Sequence, residues 1–146
     1  MKDLFISTTT FGVNDDSPLK KLQNSGITFE LNPYGRKLNS KETSDLAKKS
    51  KVVIAGIEDL TDLVKSSTNL KLIARLGVGL ENVPFSLCKK NNIRVSFTPD
   101  SVTPAISELT IALMLAVCRN ISISDKNIKD GLWERKMGTR LGNSVI

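Results

Sequence analysis

Short apolar runs rich in β-branched residues alternate with amphipathic stretches along most of the chain. This rhythm predicts repeated strand–helix units and a parallel sheet. Leu4-Phe5-Ile6-Ser7 reads as the first strand and Ile27 to Leu31 as the second. Lys51 to Ala55 gives a nearly uninterrupted apolar third strand, Lys71 to Arg75 a fourth and Ile93 to Ser96 a fifth. Such continuous apolar strands suit a sheet with helices on both faces. Between them, Ser17 is placed as the cap and Pro18 in the first turn of a helix that Gly26 ends, and Asn39 with Glu42 three positions later forms a capping box for the next. Leu60 to Lys65 supplies a third helix, and Pro84 opens a fourth that runs through Leu87 and Cys88. The pattern predicts an α/β fold with a flavodoxin-like, doubly wound parallel sheet.

After Thr98-Pro99-Asp100 the rhythm changes. Thr103 is placed as the cap and Pro104 in the first turn of a helix whose later part, Ile111 to Cys118, is apolar on every side. That stretch needs neighbours all round, so a homodimer through Ile111–Cys118 is expected. A further amphipathic helix carries Ile121, Ile123 and Ile128 and ends near Gly131. Trp133, just beyond, reads as a buried anchor at a helix end or interface. Asn143-Ser144-Val145-Ile146 looks like a strand that has just begun, which suggests a truncated protein. The expected division is a domain over 1–99, followed over 100–146 by interdomain helices and the first strand residues of another domain.

Composition narrows the function classes. The formal charge is +6 and the pI about 9.4, but the lysines fall in pairs on separate elements (Lys20-Lys21, Lys48-Lys49, Lys89-Lys90). Solvated faces explain that better than a nucleic-acid groove. The apolar run Ile111–Cys118 is far shorter than the roughly 20 residues a membrane span needs, and the N-terminus lacks a secretory pattern, so no membrane partner and a cytoplasmic location are expected. Cys88 and Cys118 are read as reduced small hydrophobes. The chain contains no histidine, which excludes histidine acid/base chemistry, histidine triads and histidine-ligated metals, and two cysteines are too few for a thiolate zinc site. Neither a catalytic residue nor a metal ligand is assigned.

The candidate chemistry lies at Gly77-Val78-Gly79, at the carboxyl end of the fourth strand. Doubly wound folds bind ligands there, and two glycines let backbone N–H groups converge on an anion without a Cβ in the way. Asn82 stands where the dinucleotide pattern G-x-G-x-x-G needs its third glycine, so that fingerprint is not met. A plain tight turn into the Pro84 helix is the competing reading. Arg75 reads as an ion-pair partner that orients the glycine loop.

Ala74-Arg75-Leu76-Gly77-Val78-Gly79-Leu80-Glu81-Asn82-Val83, Phe97-Thr98-Pro99-Asp100, Ser107-Glu108-Leu109-Thr110 and Gly131-Leu132-Trp133-Glu134-Arg135 together resemble the D-isomer-specific 2-hydroxyacid dehydrogenases, especially their phosphoglycerate dehydrogenase branch. The resemblance implies the N-terminal substrate-binding part of an NAD-dependent oxidoreductase whose second lobe is a Rossmann NAD domain. It implies that Gly77, Val78 and Gly79 cradle the carboxylate of a small anionic 2-hydroxy or 2-keto acid, that Val78 also borders the nicotinamide, and that Asp100 accepts a hydrogen bond from substrate or cofactor. The family's dinucleotide motif and its catalytic arginine, glutamate and histidine come later than the segment matching Leu141 to Ile146. This chain alone is therefore expected neither to turn over nor to bind NAD tightly. Two departures are visible: Val102 stands where many members carry asparagine, and Glu58 stands in a stretch where some phosphoglycerate dehydrogenases place an arginine for the substrate phosphate. Arg36, in the loop Asn32-Pro33-Tyr34-Gly35-Arg36-Lys37, is the candidate compensating cation for a 3-phosphoglycerate substrate. The alternative from another class is a stand-alone flavodoxin-like module that binds a small anion or regulates. A phosphorelay receiver is disfavoured because the first and third strands lead into Ser7-Thr8-Thr9 and Ala55-Gly56 rather than an acidic cluster.

Overall fold

The computed structural model describes residues 2–143 and divides the chain after Ser101 into two compact units. The first holds β1 (Leu4–Ile6), α1 (Ser17–Asn24), β2 (Phe29–Leu31), α2 (Ser40–Ala47), β3 (Val52–Ala55), α3 (Thr61–Ser66), β4 (Leu72–Arg75), α4 (Phe85–Lys90) and β5 (Arg94–Phe97). All pairings are parallel and the strand order is β2-β1-β3-β4-β5, the flavodoxin-like order. Because β2 and β3 leave β1 on opposite sides, the order reverses between β1 and β3. The loops after those two strands therefore diverge and open a crevice at their carboxyl ends.

One sheet face presents Phe5, Val53, Ala55 and Ile73 to a core completed by Leu38, Ala47, Leu60, Leu63, Val64, Val83 and Cys88. Each such side chain contributes roughly 1.5–3 kcal/mol on burial, which makes this face the rigid platform for the loops. Helix α2 starts as the sequence predicts: the Asn39 side chain accepts from Glu42 N at 2.9 Å, and the Glu42 carboxylate accepts from Asn39 N at 3.0 Å. Helix α1 does not. Ser17 is already its first helical residue rather than its cap, and its N–H and hydroxyl both go to the Asp15 carboxylate.

Two carboxyls hold element starts: Asp3 ties the amino ends of β1, β2 and β3 together, and Glu42 fixes the start of α2. Asp3 is held at about 2, chiefly by Lys51 and then Thr28, and Glu42 at about 2, chiefly by the Arg36 guanidinium and then Asn39 N–H. Both sit lower in the folded chain than their ordinary values of 3.8 and 4.5, so their stabilisation is fully present above those values and is lost as pH falls toward about 2. Urea midpoints should therefore drop through that window. Asp3→Asn combined with Glu42→Gln should flatten the acid limb, and an unchanged limb would refute the assignment.

The second unit contains α5 (Thr103–Cys118), α6 (Ile121–Lys129) and a 3-10 turn at Leu141–Asn143. Thr103 is the first helical residue of α5, not its cap; Val102 precedes it and has no side-chain acceptor to offer. Leu109, Ile111, Leu113, Leu115 and Val117 are exposed, as are Ile121, Ile123 and Ile128 of α6. Trp133 is 92% exposed rather than buried, since it follows Gly131 out of α6 into extended chain and this unit has no layer to cover it. Asn143 lies in the 3-10 turn, not in a strand; Ser144, Val145 and Ile146 fall outside the described residues. Among the described residues no single helix is long and apolar enough to cross a membrane, and α5 with α6 reaches that length only as a pair bent by 64°. Neither Cys88 nor Cys118 forms a disulfide, and burial pushes the Cys88 thiol above its ordinary pKa.

Candidate functional site

Strand β4 delivers the glycine loop to the carboxyl edge of the sheet. Leu76 N donates to Ala55 O at 2.8 Å, and then Gly77 turns the chain with φ +136°, a conformation L side chains rarely adopt. A Cβ on Gly77 would also fall 2.5 Å from Arg75 Nη1, because the guanidinium lies against the glycine. Arg75 Nη1 donates to Leu76 O, and no carboxylate lies within ion-pair distance of it among the described residues. Arg75 thus holds the loop by packing and one carbonyl, not through the ion pair its sequence position suggested.

From the far side, Thr98 closes the clamp. Gly77 N donates to Thr98 Oγ1 at 2.9 Å, and Thr98 N donates to Gly77 O at 3.2 Å. The expectation that Gly77 offers its amide to an anion is therefore corrected, because that N–H is already in use. The next two amides differ: among the described residues no acceptor meets Val78 N–H or Gly79 N–H. The Val78 side chain is 49% exposed at the loop tip. Asn82 braces the loop from behind, its Nδ2 donating to Gly56 O at 3.1 Å and Glu58 O at 2.7 Å. In sequence Asn82 registers only as a missing glycine; in the structure it joins the β3–α3 turn to the glycine loop.

Next to this loop, at the β1/β3 divergence, lies a cavity of about 210 Å³. Its walls are the hydroxyl run Ser7-Thr8-Thr9-Thr10, the turn Gly56-Ile57-Glu58, Arg75-Leu76 and, at the rim, exposed Lys37. Glu58 is only 2% exposed; its Oε1 accepts from Ser7 Oγ and, at 2.9 Å, from Gly56 N. Arg75 is 8% exposed, and its Nε is buried without an acceptor. In sequence, Ser7-Thr8-Thr9 registers only as the lack of an acidic cluster, and Glu58 and Arg75 as separate candidates; the fold brings all of them to one cavity.

Other sequence candidates lie elsewhere. Arg36 makes a two-pronged pair with Glu42, Nη1 to Oε2 at 3.0 Å and Nη2 to Oε1 at 2.7 Å, and stacks 5.1 Å over the Tyr34 ring. Glu42 raises the guanidinium pKa further. That geometry locks the α2 cap and leaves Arg36 outside the cavity lining, so it does not stand in for the phosphate arginine. Asp100 sits in an exposed bend and makes no hydrogen bond or ion pair among the described residues. No group of three potential metal ligands occurs among the described residues. Nor does the G-x-G turn form a dinucleotide bed, with Gly77 N–H held by Thr98 and Asn82 committed to the β3–α3 turn.

Comparison with known proteins agrees with this geometry. The family model described as "D-isomer specific 2-hydroxyacid dehydrogenase, catalytic domain" matches residues 5–141. A hydroxypyruvate reductase of Thermotoga maritima is 38% identical over 85 residues, 58% of this chain and 28% of its own length. A D-3-phosphoglycerate dehydrogenase of Methanocaldococcus jannaschii is 36% identical over 85 residues, 58% of this chain but 16% of its own length. The crystal structure of the TT0316 protein from Thermus thermophilus superposes with a TM-score of 0.81 at 28% identity, covering 94% of this chain and 43% of that one. The chain thus spans less than half the length of each of these proteins.

Proposed function

Since the chain belongs to the D-isomer specific 2-hydroxyacid dehydrogenase family, we propose that it forms the substrate-binding side of an NAD-dependent oxidoreductase acting on the CH–OH group of a small D-2-hydroxy acid, or on the matching 2-keto acid. The observation that carries this reading is the pair of unengaged amides at Val78 and Gly79, held beside a polar crevice at the sheet's carboxyl edge. A carboxylate accepts from two adjacent N–H groups in one turn, and charge-assisted bonds of this kind are among the stronger ones available. Arg75, Thr98 and Asn82 fix the loop so that the two amides keep their spacing before the acid arrives. NAD, when bound, accepts the hydride; the residues here bind and orient the acid.

Proton exchange and cofactor gripping are assigned to residues other than these. The 146 residues contain no histidine, and their one G-x-G turn is internally braced. Purified chain mixed with NADH and glyoxylate, pyruvate or hydroxypyruvate should oxidise no NADH above the uncatalysed background. A rate well above background would overturn this division of labour. The exposed apolar side of α5 is assigned to pairing with a second copy, for which light scattering should return a dimer. A clean monomer would contradict it.

A further inference from the structure

Parallel strands joined through helices all start, and those helices all end, at one edge of a sheet. In the first unit that amino edge lies opposite the crevice, and it collects cations that the sequence spreads over separate elements. Lys49 follows α2, Lys71 precedes β4, Lys89 and Lys90 close the last turn of α4, and Arg94 opens β5. Backbone bonds hold these segments side by side: Lys71 N donates to Lys51 O at 2.7 Å, Arg94 N to Lys71 O at 2.9 Å, and Asn92 N to Lys89 O at 3.2 Å. All of these cations are exposed, and none makes an ion pair among the described residues. The acids at the same edge are already spent, Asp3 on Lys51 at 2.8 Å and Asp45 on Lys48 at 3.2 Å. Glu30 lies on β2, at the far side of the sheet. The helix dipole accounts for Lys89 and Lys90 at the end of α4, but not for Lys71 and Arg94, which stand where strands begin.

We propose that this edge docks on an anionic lipid surface, attaching the chain to the face of a membrane without entering it. Shape and chemistry select this partner. The ends of parallel elements form one layer across the sheet, which matches a plane of headgroups and would meet few phosphates of a convex duplex. Apart from Arg94 the unpaired cations are lysines, point charges suited to a field of headgroups, whereas nucleic-acid readers favour the arginine fork. No exposed aromatic or large aliphatic side chain occurs in 48–51, 69–72 or 89–94. The edge therefore has neither a platform on which bases could stack nor a wedge to enter the acyl region. Attachment is electrostatic, reversible and sensitive to salt. Docked this way, the first unit turns the crevice at its opposite edge toward water, where small acids reach Val78 and Gly79. The docking does not depend on the carboxylate reading.

The test is co-sedimentation of the 146-residue chain with phosphatidylcholine vesicles, either neutral or containing about one-third phosphatidylserine. The chain should bind the anionic vesicles in low salt, lose at least about tenfold in affinity at about 0.5 M salt, and leave the neutral vesicles unbound. Each cation at an anionic surface strengthens binding about fivefold, so Lys71→Gln combined with Lys90→Gln should weaken it about 25-fold. Lys41→Gln combined with Lys126→Gln removes the same charge from exposed, unpaired lysines elsewhere and should cost no more than about threefold. Equal losses in the two double variants would show net charge rather than this edge at work and would overturn the proposal. Equal binding to both kinds of vesicle, or no binding to the anionic ones in low salt, overturns it as well. Tighter binding to a short DNA duplex than to anionic vesicles at matched phosphate assigns the edge to nucleic acid and overturns the lipid assignment.

Discussion

Gly77→Ala should lower the unfolding free energy by about 3 kcal/mol and abolish carboxylate binding. Two effects add. A backbone held at φ +136° is strained for any residue with a Cβ, at a cost of about 1–3 kcal/mol. The new methyl would also enter the space of the Arg75 guanidinium, 2.5 Å from Nη1, so the guanidinium must move toward the cavity it lines and give up its bond to Leu76 O. Urea titration measures the loss, and a loss below about 1 kcal/mol would show that the loop is not held as described. The double variant with Arg75→Ala separates the two effects, because it removes the clash and leaves the backbone strain. The pair should therefore be non-additive, as contacting residues are.

Thr98→Val should have the next largest effect. It removes the hydroxyl that receives Gly77 N–H and places a methyl group against that donor, a loss of about 1–3 kcal/mol for a partly buried amide left without its partner. The consequence for binding is larger than for stability alone, since the same bond sets the direction of the two amides that follow. Affinity for D-lactate should fall about tenfold, the equivalent of about 1.4 kcal/mol, and Thr98→Ser should restore it. If Thr98→Val binds D-lactate as the wild type does, Thr98 contributes to folding but not to positioning.

Periodicity reveals strand and helix order because central parallel strands carry few polar interruptions, and Val52 to Ala55 is apolar throughout, with Val53 and Ala55 buried and Val52 and Ile54 half-buried. The Asn39–Glu42 box was equally legible, since both partners lie within one turn. The caps at Ser17 and Thr103 were misread for a related reason. Capping depends on the backbone of the residue before the helix, and Asp16 and Val102 already have helical φ and ψ. The glycine loop could be placed but its amides could not be ranked. What separates Gly77 from Val78 and Gly79 is the Thr98 hydroxyl, which lies 21 positions away in sequence and arrives only when β5 pairs with β4. Arg36 misled because a lone loop cation and a cap-locking cation look alike until Glu42 is seen beside it. Glu58 was visible as an acid in an unexpected place, but its burial against Ser7 and Gly56 is a property of the β1/β3 crevice.

The central claim is that two backbone amides without acceptors among the described residues receive the acid's carboxylate. Amide shifts recorded with D-lactate and with D-lactamide, in which a neutral carboxamide replaces the carboxylate, address it directly. D-Lactate should move Val78 and Gly79 in a saturable way while Gly77, held by Thr98, stays nearly fixed, and D-lactamide should leave all three in place. Equal responses to the two compounds, or a response led by Gly77, would contradict the account.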